Sequence, residues 1–141
     1  MDNENLLNNI YQNIAMVLET IPEIRKITTD CDFKALIVSQ EEEYQNLSDS
    51  VKEEINSTGA STQELNDLLK TYSEWMTKLK AMTDKNVSHL AEMCIQGYTM
   101  GMIKGIQKDH LYCDASKEAK HYAKQLTALH EKSIENLKKY L

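Results

Sequence analysis

Apolar residues along this chain recur at alternating intervals of three and four, a periodicity that only helices can place on one buried face. From Leu7 they continue at Ile10, Ile14, Val17, Ile21 and Ile24, one stripe along one helix. Phe33, Ile37, Gln40, Tyr44, Leu47, Val51 and Ile55 repeat the spacing, and two of these core-phase positions are polar. Leu65, Leu68, Leu69, Tyr72, Trp75, Met76 and Leu79 form a third face. Ala119, Tyr122, Leu126, Leu129, Ser133, Leu137 and Tyr140 form the last. No stretch alternates with period two, and no Asn-Gly or Asp-Gly turn marks a hairpin, so no sheet is expected.

Local signals divide this pattern into five helices. The first is expected from about Asn3 to Thr28, with Pro22 a point of kinking because proline removes a donor and crowds the preceding turn. Asp30 can cap the second, over Cys31 to Ser57, and Gly59 can end it. Ser61-Thr-Gln-Glu64 fits a capping box opening a shorter third helix. After Thr83-Asp-Lys-Asn86 a fourth runs to about Leu111, and Asp114 is the expected cap of a fifth that reaches the C-terminus. Helices of about 25 residues are near 38 Å long. Four of them with one connector predict a single all-α domain over residues 1–141, a four-helix bundle with an additional connecting helix.

Composition narrows the function classes. With 16 Lys+Arg against 22 Asp+Glu the formal charge is −6, which gives no basic face for nucleic acid. The first residues, Met1 to Asn13, lack a basic region followed by an apolar run, so the expected compartment is the cytoplasm. Val87 to Ile106 is long enough to span a bilayer but contains His89, Glu92, Gln96 and Lys104, and reads as a buried helix with no membrane partner. Cys31, Cys94 and Cys113 are odd in number and lack CxxC spacing, as reduced thiols would be.

Groups able to do chemistry are few. Glu41-Glu-Glu43 could offer a carboxylate to a metal but fits a solvated face. His89 and Glu92 share a face near a helix start, where simple exposure explains them. His130 lies beside the core stripe of the last helix and is the best single candidate, although a histidine packed against Glu131 or a neighbouring helix accounts for it. Asp109-His110 and Cys113-Asp114 gather metal-capable groups around one turn without a further ligand pair. Met16, Met76, Met82, Met93, Met100 and Met102 read as core filling. No phosphate-binding glycine loop, HExxH or nucleophile elbow occurs, so no catalytic residue and no cofactor is assigned.

Gly97, Gly101 and Gly105 are three of the four glycines and lie four apart in one helix. Each costs a helix up to about 1 kcal/mol relative to alanine, so three in one ridge require a compensating close approach. That approach is either packing within the domain, against a tyrosine or tryptophan, or a subunit interface.

Tyr11, Ile21-Pro22, Phe33-Lys-Ala35 and Glu42-Glu43-Tyr44, with Tyr98 in mid-helix and His130 to Leu137 late in the last helix, resemble ferritin-like bundle proteins of the YciF type. The resemblance implies a di-metal centre built from a glutamate on the first helix of each hairpin and a Glu-x-x-His pair on the second. It places Ile14, Glu43 and Leu47 at the ligand positions of the first hairpin. In the second, Ala91 and Cys94, or Glu92 after a slip of one residue, share that duty with His130 and Ser133. The implied metal centre is therefore degenerate. The expected role is structural or interactive, with self-association into a homodimer or larger assembly. The alternative is a metal-binding, di-iron-type oxidoreductase or storage protein using a rearranged set such as Glu43, Glu92 and His130. A third class, binding of an apolar small molecule in a methionine-lined cavity, has no motif to mark it.

Overall fold

A computed structural model describes residues 1–60 and 69–141, with side chains in the second part from Tyr72 onward. Among these residues it is all-helical: α1 Asp2–Ile27, α2 Cys31–Ser57, α3 Leu69–Lys80, α4 Val87–Leu111 and α5 Lys117–Leu137, followed by a short 3-10 turn at Lys138–Tyr140. The expected capping box at Ser61 to Glu64 lies outside the described residues.

The ends of the helices follow from their caps. Asp30 accepts the Phe33 amide at 2.8 Å and opens α2, and Gly59, at φ 81°, closes it in a conformation that costs glycine nothing. Asn86 accepts the His89 amide at the start of α4. The start of α5 differs from expectation. Ser116, rather than Asp114, caps it by accepting the Ala119 amide at 3.1 Å. Ser116 also donates to Asn3 Oδ1 at 2.6 Å, while the Asp114 amide donates to Asp2 Oδ2. The chain's first turn thus fixes where α5 begins. α1 continues unbroken through Pro22 to Ile27.

These contacts also fix the helix directions. Asp2 and Asn3 meet Asp114 and Ser116, so α1 starts beside the α4/α5 turn. At the other end the Ser88 hydroxyl donates to the Leu141 carbonyl, and Phe33 meets Tyr140 edge-on with centroids 5.2 Å apart. α1 and α5 therefore run one way, and α2 and α4 the other. α1 packs on α2 and α4, and α5 packs on α4 and α2, with α1 and α5 also in contact. The parallel pair α2 and α4 is joined by the long crossover that contains α3.

One core fills the space between the long helices. Leu6, Leu7, Ile14, Ile24, Phe33, Ile37, Val51, Ile55, Leu90, Leu126 and Leu137 are buried in it. Each such side chain contributes about 1.5–3 kcal/mol on transfer from water. Trp75 and Leu79 bring α3 onto this core. No described helix is long and apolar enough to cross a membrane.

Candidate functional site

The middle of the domain is polar. Six side chains from all four long helices meet there: Asn13 of α1, Gln40 and Tyr44 of α2, Tyr98 of α4, and His130 and Ser133 of α5, every one of them buried. Burying such groups costs several kcal/mol unless each finds a partner, so their hydrogen bonds decide whether the layer is tolerable.

Backbone carbonyls set the direction of every bond. The Gly101 carbonyl can only accept, so Asn13 turns its Nδ2 towards it at 2.9 Å and presents Oδ1 to His130. His130 Nε2, 3.0 Å from that oxygen, must then carry the ring proton. Its Nδ1 accepts from the Tyr44 hydroxyl at 2.8 Å. Tyr44 has spent its one proton, so the Ser133 hydroxyl, 3.2 Å away, is the donor to the phenolic oxygen. A second branch obeys the same rule. Gln40 Nε2 donates to the Ser133 carbonyl at 3.2 Å, and Gln40 Oε1 accepts from the Tyr98 hydroxyl at 2.8 Å. The Tyr44 and Tyr98 rings stack with centroids 5.5 Å apart and close the layer.

Its electrostatics hold every member neutral. Burial pushes the His130 imidazole down to about 3. Burial also pushes both tyrosine hydroxyls well up, Tyr44 opposed by the Ser133 bond and raised further by the Glu43 charge. The neighbouring Cys94 thiol is pushed up to about 12 by burial, far from a reactive thiolate.

The glycine ridge lies against this layer, inside the chain. A Cβ at Gly101 would stand 3.0 Å from both Asn13 Oδ1 and His130 Nε2. One at Gly97 would stand 2.9 Å from Cζ2 of Trp75. At Gly105 the nearest atom, Asn13 Nδ2, is 3.7 Å away. A methyl at either of the first two positions requires its neighbours to shift, and at the third it does not.

The set Glu43, Glu92 and His130 is not assembled. Glu43 pairs with Lys132 at 2.8 Å on the surface, Glu92 is exposed and lies 3.4 Å from His89, and both ring nitrogens of His130 are taken. Ile14 is fully buried among apolar side chains, and its neighbour Asn13 is the α1 residue that enters the polar layer. Asp109 pairs with Lys120, while His110 is exposed. Among the described residues the one cluster with metal-ligand spacing is Asp2, Cys113 and Asp114, at the surface. The three cysteines are free, with Cys31 and Cys113 exposed.

Beside the layer an apolar cleft of about 190 Å3 opens between α1, α3 and α4. Met16, Val17, Ile21 and Met100 line it, Trp75 walls it from α3, and Asn13 and Lys104 lie at one end. Comparison of the chain with protein-family models, curated proteins and solved structures returns no match.

Proposed function

We propose that this chain is a ferritin-like helical domain in which a hydrogen-bonded layer stands where a di-metal centre would lie, and that it acts by binding and assembly rather than by catalysis. The up-down-down-up helix order with one long crossover supports the ferritin-like reading. The observation that carries the functional reading is the donor set of the central layer. Two amides, two protonated phenols, one hydroxyl and one imidazole meet there without a carboxylate. Hard cations and di-iron sites take anionic oxygen ligands, which this layer does not offer. The imidazole has no free nitrogen for a softer metal.

Metal analysis of protein purified without chelator tests this. Iron, manganese and zinc well below one equivalent are expected, and near-stoichiometric metal that is lost in His130→Gln would overturn the reading. Self-association belongs to the same proposal. Leu111, exposed at the end of α4, supports it, and sedimentation of Leu111→Lys against the parent is its measurement.

A further inference from the structure

The cleft between α1, α3 and α4 has the anatomy of a binding site for an elongated amphiphile. Its α1 wall extends from Asn13 to Ile24, about 16 Å at 1.5 Å per residue. Its volume, about 190 Å3, exceeds the cavity of about 150 Å3 that takes up benzene in another protein. The walls combine aliphatic side chains with the rings of Tyr72, Trp75 and Tyr98 and with Met16 and Met100, which adapt their shape to a flexible chain.

Two unmatched polar groups accompany these walls. Trp75 is 7% exposed, and its indole Nε1 is buried without an acceptor among the described residues. Lys104, at the Asn13 end, has no acidic partner among the described residues. At the α3 side the charge is reversed: burial, opposed by the Thr20 bond, raises the Tyr72 hydroxyl, and the nearby Glu19 and Glu23 charges raise it further. An anionic head would therefore be drawn to the Lys104 end and repelled from the other.

We propose that this cleft binds a medium-chain alkyl carboxylate, its hydrocarbon along α1 and α4 against the Trp75 ring and its head at Lys104. This rests on the reading of the protein as a binding domain and names the ligand class.

Decanoate below its micellar concentration is the probe, and 1-decanol is its uncharged control. Trp75 is the only tryptophan, so its emission reports directly on the cleft. Saturable change in that emission with decanoate, together with a rise in melting temperature, is expected. Val17→Phe, which fills the cleft, should weaken decanoate and decanol alike by about tenfold or more, and Met100→Phe is the second filling variant if the first misfolds by circular dichroism. Lys104→Glu should weaken decanoate by about tenfold and leave decanol within about twofold. Absence of a saturable response, or binding that ignores both filling variants, overturns the site. Equal loss of acid and alcohol in Lys104→Glu overturns the assignment of the head. Metal content is independent of all these outcomes, so the failure of this inference is distinguishable from failure of the broader reading.

Discussion

Gly101 and Gly97 are one turn apart on α4, yet they adjoin opposite solutions to burying polar atoms. At Gly101 a missing Cβ lets Asn13 and His130 close a network in which every buried polar atom has a partner. At Gly97 a missing Cβ seats the Trp75 indole, whose N–H has no acceptor among the described residues, beside an open cleft. The first region is saturated and rigid in its demands, and the second retains space and an unused donor. Complete pairing makes a core layer specific and unreactive, whereas an incomplete one beside a void is where a ligand gains most.

Removing the imidazole should break the saturated side hardest. His130→Ala strands the Asn13 acceptor and the Tyr44 donor and leaves a cavity, so about 3–5 kcal/mol of stability should be lost in denaturant unfolding. A loss under about 1 kcal/mol would show that the layer is wetter and looser than its geometry. Gly101→Ala tests the same layer more gently. Its methyl must displace two atoms that are already committed, at a cost of about 1–3 kcal/mol.

The pH dependence of stability sharpens the comparison further. In the folded chain His130 takes up a proton only near pH 3, whereas in the unfolded chain it does so near its ordinary value of 6.5. Between these values the unfolded state holds more protons, so stability falls as pH falls, by up to about 1.4 kcal/mol per unit from this group. Between pH 7 and 5.5 the parent should weaken and His130→Gln should show a flatter profile. Equal slopes would mean that the imidazole is solvated. Tyr44 and Tyr98 act at the alkaline end with the opposite sign. Their folded hydroxyls keep protons that the unfolded chain gives up near 10, so stability should fall above that pH.

The smallest effect has the reverse direction. Gly105→Ala meets nothing closer than 3.7 Å and replaces a poor helix former by the best, so a gain of about 0.5–1 kcal/mol is expected. A destabilised Gly105→Ala would place this third glycine with Gly101 rather than apart from it.

Much of the architecture is legible because it depends on local chemistry. The boundaries of α2 follow from Asp30 and Gly59, and that of α4 from Asn86, each a group that satisfies backbone within a few residues of itself. The cap of α5 is less so. Asp114 and Ser116 are both competent, and the choice is made by Asp2 and Asn3, over a hundred positions away. The central layer is the hardest to read. Asn13 lies three after Ile10 and four before Val17, on the apolar stripe, and that intrusion is the signal the family resemblance passes over by pointing to Ile14. His130 stands out in the sequence, but its neutral state depends on Asn13 and Tyr44, whose proximity no spacing within one helix encodes. The cleft leaves no sequence mark, since a void is a property of how α3 lies on α1 and α4.

The one-way order of the central hydrogen bonds has a consequence for how the domain is keyed together. Donation passes from Ser133 through Tyr44, His130 and Asn13 and stops at the Gly101 carbonyl, which has no proton to hand on. It is a dead end for proton transport, but it serves as a combination lock for assembly. Sliding α5 along its neighbours by one turn would carry His130 about 5.4 Å from both of its partners. Rotating α1 by one residue would exchange Asn13 for Ile14 and set an aliphatic side chain against the ring nitrogen. Apolar surfaces tolerate such slips because a leucine matches many neighbours, whereas here each misplacement strands a proton or a lone pair. Four amphipathic helices that could pack in several ways are thereby held to the single alignment in which every group of the layer is answered.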